Sequence, residues 1–401
     1  SPTPPPRKKP GSSAPRRSGA PAQAAAAAPS KFGRILLPVQ GILSVASLVQ
    51  LWRTQMLPVL YLVILAALLF LLWLLVKRCQ EYNVPGKVSR VFSVFLCACM
   101  ALGCVWAQQG LTALDNMTNG LLTGAEANKI TKEPFVIYLS GVDTRGELTE
   151  KARSDVNILA VVNPTTKQIL LVNTPRDYYL PLARNGELDK LTHAGLYGID
   201  ESMKVLGNLY GVQADYYVRV NFAGLVKIVD ALGGVDIESD ANFSCVPMET
   251  PDGNGDYTYQ KYSFTKGINH VNGSQALAFA RERKAFADGD NRRGQHQMTV
   301  IKAIVNKACS SAVLTKYQEL LKAASDAFIT NMPYADISSL VQMQLGDMAD
   351  WNITTYAVSG EGSTEYCYAL GDKAWVMIKD SSKVNTAKNM IQQVINGEVP
   401  T

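Results

Sequence analysis

Hydrophobic residues are not spread evenly along the chain. Before residue 115 they gather in three charge-free stretches, Ile35–Trp52, Thr54–Val76 and Val91–Leu114, of 18, 23 and 24 residues. A helix needs about 20 mainly apolar residues to cross roughly 30 Å of hydrocarbon, so each stretch is predicted to span a membrane. The second is the most apolar. Pro38, Gln40, Gly41, Ser44, Ser47 and Gln50 dilute the first and leave a re-entrant or interfacial helix as its alternative. Beyond residue 133 the pattern changes to short runs: PFVIYLSGVD (134–143), VNILAVVNP (156–164) and QILLVNTP (168–175). Their apolarity is nearly continuous rather than alternating, as expected of strands covered on both faces. Asn163-Pro164-Thr165-Thr166-Lys167 is turn chemistry and predicts a hairpin between the second and third runs. Helical spacing follows at Gly198–Leu209, Phe222–Leu232, Ser274–Arg283 and Gln297–Cys309, with strands at Tyr216–Val220 and Val235–Ile237. Gly233-Gly234 ends the Phe222 helix and lets the chain reverse. Strands alternating with helices around an apolar sheet predict a three-layer α/β domain running to about residue 330. The rest of the chain is predicted to hold two helices, a strand at Ile353–Val358 and a terminal helix near Lys383–Asn396.

Charge adds orientation to this plan. With 47% apolar and 18% charged residues, the chain is more hydrophobic than a typical soluble protein. Its net charge of +5 conceals an asymmetry, because residues 1–111 hold 12 Lys/Arg against the single acid Glu81. The remaining 290 residues keep 27 Lys/Arg and 33 Asp/Glu, a net of −6, which argues against a nucleic-acid partner for this part of the chain. Residues 1–30 contain no aromatic and no acid, and are expected to form a disordered basic tail. Arg7, Lys8, Lys9, Arg16, Arg17, Lys31 and Arg34 precede the first apolar stretch; Lys77, Arg78, Lys87 and Arg90 follow the second; only Arg53 lies between the first two. The positive-inside rule then puts the tail and the second loop in the cytoplasm and everything after about residue 112 outside the cell. A cleaved signal peptide is not expected, since the apolar segments are too many. The expected organisation is a cytoplasmic basic tail (1–34), three transmembrane helices (35–111), a juxtamembrane linker (112–132), the main α/β domain (133–330) and a C-terminal extension of helices and strand (331–401).

The residues available for chemistry narrow the choice. Only three histidines occur, and there is no Cys-x-x-Cys or His-Glu-x-x-His, so a zinc enzyme is not expected. Cys79, Cys97, Cys99 and Cys104 lie in or beside the apolar stretches as small apolar side chains. Cys245, Cys309 and Cys367 leave room for one disulfide of undeduced pairing, and Cys245 has no evident His–acid pair to make it a nucleophile. The informative stretch is GVDTRGELTEKARSDVN, 141–157. Asp143 ends one predicted strand and Asp155 opens the next, so both carboxylates come to one sheet edge, where ligands of α/β folds collect. Two acids there suit a hydrated Mg²⁺ completed by phosphate oxygens, with Mn²⁺ as an alternative; solvated turn residues are the plainer reading. Arg145 and Arg153 flank the acids, and Arg176, Arg281, Arg283, Arg292 and Arg293 follow on later loops and helix ends. Planar guanidinium groups beside such an acid pair indicate a phosphate or pyrophosphate ligand, whereas surface ion pairs of Arg281 and Arg283 with Glu282 are the alternative. Lys190 either reaches a phosphate or caps its loop, and His193 is either a supporting residue of the site or a hydrogen-bonded structural histidine.

These residues stand in ordered motifs: GVDTR with RSD twelve positions after the first Asp, PRD at 175–177, KLTHA at 190–194, DYYVRVNF at 215–222, VDALGGV at 229–235 and NGSQALAFARER at 272–283. Over about residues 134–312 the chain resembles the LytR-CpsA-Psr family, and its three N-terminal spans resemble the capsule-associated members. The resemblance implies an α/β/α sandwich with an apolar pocket for a lipid tail, residues 133–330 being its catalytic domain. It also implies an extracytoplasmic phosphotransferase that moves an anionic glycopolymer from a polyprenyl-pyrophosphate carrier in the cell membrane to peptidoglycan. By matched position, Asp143 and Asp155 would bind Mg²⁺, Arg153 would join them in catalysis, and Arg145, Arg153, Arg176, Lys190, Arg281, Arg283, Arg293 and Gln297 would hold the pyrophosphate. The chain departs from the family pattern in three places: Asn173-Thr174 replaces the Ser-Ile of many relatives, Thr192 stands for the usual Asn, and Gly294-Gln295-His296-Gln297 replaces an Arg/Lys-rich turn. A polyprenyl-pyrophosphate hydrolase and a non-catalytic lipid-binding scaffold use the same features and stand as alternatives.

Overall fold

The computed structural model describes residues 31–54, 57–80, 83–117, 129–143, 148–245, 248–251, 257–287, 289–310 and 327–401, with Leu320 and Ala323. Residues 1–30 of the expected basic tail, most of the linker and Arg145 lie outside the described residues, and Lys31–Arg34 of that tail begin the first helix. The chain divides into two compact units, Ser1–Val45 with Leu65–Ala101 and Ala46–Ile64 with Leu102–Thr401.

The three apolar stretches form helices α1 (Lys31–Arg53), α2 (Val59–Cys79) and α3 (Asn83–Met117). Within them Phe32–Arg53, Val59–Cys79 and Pro85–Gln109 are long and apolar enough to cross a membrane. Several polar groups in these segments find partners on neighbouring helices, which lowers the cost of placing them in hydrocarbon. In the first unit Ser93 Oγ donates to Gln40 Oε1 at 2.6 Å and Trp73 Nε1 to the Leu37 carbonyl at 3.1 Å.

The second unit is built on a six-stranded sheet. Its strands are β1 (Phe135–Val142), β2 (Val156–Asn163), β3 (Gln168–Asn173), β4 (Tyr216–Asn221), β5 (Phe328–Thr330) and β6 (Asn352–Ala357), in the order β5-β4-β1-β2-β3-β6. β4 runs parallel to β1 and β6 parallel to β3, while β2 is antiparallel to both neighbours. Every residue of β3 and all but the first of β2 are buried, which is why those runs show no polar alternation. On one face Val205 and Leu206 of α4 (Ile199–Tyr210) and Met390 and Ile391 of α9 (Ser381–Ile395) pack against Tyr138, Leu159 and Val172. On the other, Met298 and Ile301 of α7 (Gly289–Ala308) and Leu340 of α8 (Tyr334–Asp347) cover Ile158, Ala160 and Leu171. The result is the expected α/β/α sandwich. The strand near residue 353 is its outermost member and α9 one of its covering helices, so the C-terminal segment is integral to the sheet and its core.

Residues 331–401 hold two helices, α8 and α9, where three were expected, and short strands at 179–190 and 243–271 add to those expected; two further differences have a reason in the pattern itself. Helix α7 starts at Gly289, eight residues before Gln297, because its first turns, GDNRRGQ, are polar and show no apolar period. Residues 360–379, which the pattern left unassigned, form a hairpin of β7 (Gly360–Cys367) and β8 (Asp372–Lys379). Its apolar positions, Trp375-Val376-Met377-Ile378, come as a block without alternation.

A further core lies beneath α5 (Phe222–Ala231), α6 (Gly273–Arg281) and α7. Here His296 is enclosed by Phe243, Phe279 and Phe286, with ring centroids at 5.3, 4.2 and 5.4 Å. Its Nδ1–H donates to the Phe279 carbonyl at 3.1 Å. Burial foremost, with the nearby Arg292 adding to it, pushes the imidazole down from 6.5 to about 4. The unfolded chain therefore binds a proton that the folded chain refuses, and stability falls as pH drops from about 6.5 toward 4. We expect His296→Phe, which keeps the ring and loses the titration, to flatten that acid branch by up to about 3 kcal/mol. Melting temperatures of both proteins from pH 8 to pH 4 check this; parallel curves would show that His296 has no part in the acid loss.

Candidate active site

The parallel strands β1, β4, β3 and β6 all end at one edge of the sheet, and antiparallel β2 begins there. Asp143 follows β1 directly and is exposed; Asp155 precedes β2, and its N–H donates to the Gly141 carbonyl at 2.8 Å. The structure thus brings the two predicted acids to adjacent strand ends. Gly141 makes this closure possible, since a Cβ there would collide with Val156.

Arg176, three residues beyond β3, reaches back along the same edge. Its Nη1 donates to Asp155 Oδ1 at 2.6 Å and its Nε to Asp177 Oδ2 at 3.4 Å, while Lys190 Nζ contacts Asp177 Oδ1 at 3.0 Å. Asp155, Arg176, Asp177 and Lys190 form one charge-alternating chain. Asp177 and Lys190 are its more buried end, and the Asp155–Arg176 pair keeps 25% and 34% of its side-chain surface in water.

The loop that carries Arg153 is fastened from two sides. Ala152 N–H donates to Gly195 O at 3.0 Å and Ser154 N–H to Thr192 O at 3.4 Å, while Thr192 N–H donates to Arg176 O at 2.8 Å. A Cβ on Gly195 would overlap the Ala152 carbonyl, so a glycine is required at this contact. The intervening turn is held by buried His193, whose Nδ1 meets Asp189 Oδ1 at 2.6 Å. Burial works against the charged form of Asp189, but His193 and the N–H groups of Ala369 and Lys190 outweigh it and hold the carboxyl below its ordinary range. His193 therefore acts in the structure as a buried brace of the Arg153 loop. Arg153 itself is exposed at the rim.

From the sheet side a residue that the motif reading passed over performs a similar task. Arg219, in the centre of β4, is fully buried. It donates through Nε to Ser140 Oγ at 3.1 Å and through Nη1 to the carbonyls of Thr149 and Glu150 at 3.0 and 2.6 Å. The hydroxyl oxygens of Ser140 and Ser154 are 2.8 Å apart, and Tyr138 Oη donates to Asn157 Oδ1 at 2.6 Å and lies 3.0 Å from Ser154 Oγ. The available signal was a guanidinium at the centre of an otherwise apolar strand, a position that a solvated surface arginine would not occupy.

Next to this edge, between the sheet and helices α5, α6 and α7, lies a cavity of about 310 Å³. Its walls are apolar, with Leu139, Val218, Leu225, Leu277, Val300 and Ile304 among them, and Arg281, Gln297 and Asn221 supply polar groups. Arg281 lies with its guanidinium 4.5 Å from the centre of the Phe222 ring and donates to the Glu249 carbonyl at 3.1 Å. α6 ends at Arg281 and Glu282 is extended, so Arg283 leaves the helix and is exposed. Glu282 accepts the N–H groups of Lys284 and Ala285 at 2.6 and 3.0 Å and shapes that exit. Arg292 pairs with Asp240 and stacks 4.6 Å from Phe286, whereas helical spacing sets Arg293 one turn before Gln297, on the face that lines the cavity. Cys245 is buried and burial pushes its thiol up to about 12, which leaves it a poor nucleophile.

Two of the chain's departures from the family pattern touch each other. Gly294 lies against Asn173, and a Cβ on Gly294 would overlap the Asn173 side-chain amide. We expect Gly294→Ala to destabilise the fold by about 1–3 kcal/mol as an overpacking change. Asn173→Ser, which shortens the neighbour, should recover most of that loss. A thermal-melt double-mutant cycle checks the coupling, and additive effects would contradict it.

Fold and site together define an α/β/α domain whose cation-rich sheet edge adjoins an apolar cavity. Residues 107–390 match the model of the LytR_cpsA_psr family, and the chain belongs to that family. The match passes both ends of the 134–312 stretch that carries the motifs and includes most of the C-terminal segment. The chain is 35% identical over 218 residues, 54% of its length and 67% of the relative's, to the polyisoprenyl-teichoic acid–peptidoglycan teichoic acid transferase TagU of Enterococcus faecalis. It spans about two thirds of the length of the curated relatives it matches. Among solved structures it is similar to TagV of B. subtilis, with 26% identity, 66% of this chain and 98% of that one covered, and a TM-score of 0.52. It is also similar to TagT bound to LIIa-WTA, with 25% identity, 67% and 92% covered, and a TM-score of 0.50.

Proposed function

We propose that this chain is a membrane-anchored phosphotransferase that moves an anionic glycopolymer of the teichoic-acid or capsule type from a polyprenyl-pyrophosphate carrier to peptidoglycan. The observation that carries the proposal is the adjacency of an apolar cavity, suited to a lipid chain and lined in part by Arg281 and Gln297, to the edge where Arg176 accompanies two carboxylates. A polyprenyl pyrophosphate is apolar at one end and doubly anionic at the other, and needs both environments side by side. The names of the relatives agree with this substrate class. The excess of Lys and Arg before residue 112 supports a cytoplasmic N-terminus and an extracellular domain, where peptidoglycan is found.

The reaction joins an acceptor sugar hydroxyl to the polymer-bearing phosphorus and breaks that phosphorus's bond to the bridging oxygen. Polyprenyl monophosphate leaves and the hydroxyl proton is released. Arg153, Arg176, Arg281, Arg283, Arg293 and Lys190 would share the phosphate charge, with Gln297 and Arg145 as further contacts. Asp143 and Asp155 fit a hard divalent cation. They lie at adjacent strand ends with access to water, and among the described residues no group of three or more His, Cys, Asp or Glu offers a complete ligand shell. Two carboxylates plus phosphate and water is the pattern Mg²⁺ accepts, and Mn²⁺ shares it. When bound, the ion supplies charge neutralisation at the phosphate oxygens. Incubating the chain with labelled polyprenyl-pyrophosphate glycopolymer and peptidoglycan fragments, with and without Mg²⁺, tests the proposal. Label appearing on the glycan supports it; label released only to water indicates a hydrolase; binding without turnover indicates a scaffold.

A further inference from the structure

The hairpin of β7 and β8 presents large apolar side chains to solvent. Tyr366 is 52% exposed and Trp375 46%, and Tyr368 and Leu370 continue the patch around the turn. Contiguous exposed aromatic surface of this kind marks a binding face. The register shows how it is built. Thr364 pairs with Trp375 and Tyr366 with Lys373, so Tyr366 and Trp375 are diagonal neighbours on one face, with a hydroxyl and an ammonium group between them. Gly362 lies on the same face, and a Cβ there would come within 2.9 Å of the Trp375 indole nitrogen. Its absence lets the indole lie down over the strand with its outer surface turned to water. The opposite face includes Val376 and Cys367, which are fully buried, so the hairpin is fixed on the domain.

The hairpin also joins the candidate site directly. Met377 N–H donates to the Asp177 carbonyl at 2.8 Å, and Ala369 N–H donates to Asp189 Oδ2 at 2.8 Å. Trp375 is two residues, roughly 7 Å of strand, from the residue bonded to Asp177.

We infer that this face binds the acceptor glycan strand; the choice of occupant rests on the transferase function proposed above. Flat aromatic faces stack on the C–H faces of pyranose rings, while Thr364 and Lys373 offer hydrogen bonds to hydroxyl, acetamido and carboxylate groups. The register puts Lys373 and Lys379 on the face of Tyr366 and Trp375 and Glu361, Glu365 and Asp372 on the opposite one, so the aromatic face carries positive charge that complements the carboxylates of the glycan, and adsorption to anionic lipid is the competing outcome. The strand would be held beside Arg176 with its hydroxyl directed to the phosphate edge.

The test uses the full chain in lipid nanodiscs, with calorimetric titration of peptide-free peptidoglycan oligosaccharides. Trp375→Ala and Tyr366→Ala should each weaken glycan binding about tenfold or more, the size expected of a buried aromatic contact. Trp375→Phe should retain most of it, and binding of polyprenyl pyrophosphate alone should stay unchanged in all three. Should Trp375→Ala fail to fold, Tyr366→Ala and Trp375→Phe carry the test. Equal glycan affinity in wild type and the alanine variants would overturn the inference. So would selective quenching of Trp375 by brominated lipid, read as the difference between wild type and Trp375→Phe. Normal transfer with no dependence on Tyr366 or Trp375 would overturn the platform alone. Glycan binding through these rings without any transfer would instead overturn the proposed function and leave the platform standing.

Discussion

Replacing Asp155 by Asn is expected to lower polymer transfer by a factor on the order of 10²–10³, the usual loss when one charged partner of a phosphate-handling site is removed. The substitution keeps the volume and an oxygen able to accept from Arg176, so the fold has little reason to change. The Asp155–Arg176 pair is a quarter to a third exposed, and pairs of that kind contribute about 1 kcal/mol or less to stability. Only the negative charge is lost, and with it one of the two carboxylates that, on the proposed function, would hold a divalent ion. Donor binding should survive, because the apolar cavity is lined by other residues. The expected signature is therefore a fall in kcat at nearly constant melting temperature and lipid affinity, with a higher Mg²⁺ concentration needed for half-maximal rate. Transfer within a few-fold of wild type would remove Asp155 from the chemistry. Loss of lipid binding in parallel would make it a structural residue.

The prominence of Asp155 in the sequence has a physical reason. The apolar runs of β1 and β2 mark where each strand stops, so an acid just past one and another just before the next must meet at one sheet edge. Arg176 follows β3 by the same logic. What the pattern could not show are contacts made by residues distant in the chain. Gly294 against Asn173 and His296 within its ring of phenylalanines depend on how α7 packs, and the polar start of that helix hid its first two turns. The aromatic hairpin escaped because β8 carries its apolar residues as one block. Arg292 and Arg293 looked equivalent by spacing, and only the helix separates them: one faces Asp240, the other shares the face of Gln297.

Arg219 belongs with these hidden residues, and its replacement by Leu is expected to have the largest effect on stability, a loss of about 3–5 kcal/mol. Leu fills part of the volume but offers no donor, so the carbonyls of Thr149 and Glu150 lose their partner while Ser140 Oγ keeps only Ser154, and each stranded polar group costs about 1–3 kcal/mol. Water entering from the loop side recovers some of this, which sets the upper bound near the cost of breaking a buried ionic network. The loop released by the change runs from Thr149 to Asp155 and carries Arg153. Transfer should therefore fall further than stability alone explains when assayed at a temperature where the variant is folded. Arg219→Lys restores a charge but not the fork that reaches Ser140 and both carbonyls together, and should sit between Leu and wild type. Hydrogen exchange of the amides at Ala152 and Ser154 gives a direct readout, since both are bonded to the turn at Thr192–Gly195. Faster exchange there, with unchanged protection in β2 and β3, would show that Arg219 orders this loop. Uniform loss of protection across the sheet would show that it supports only the core.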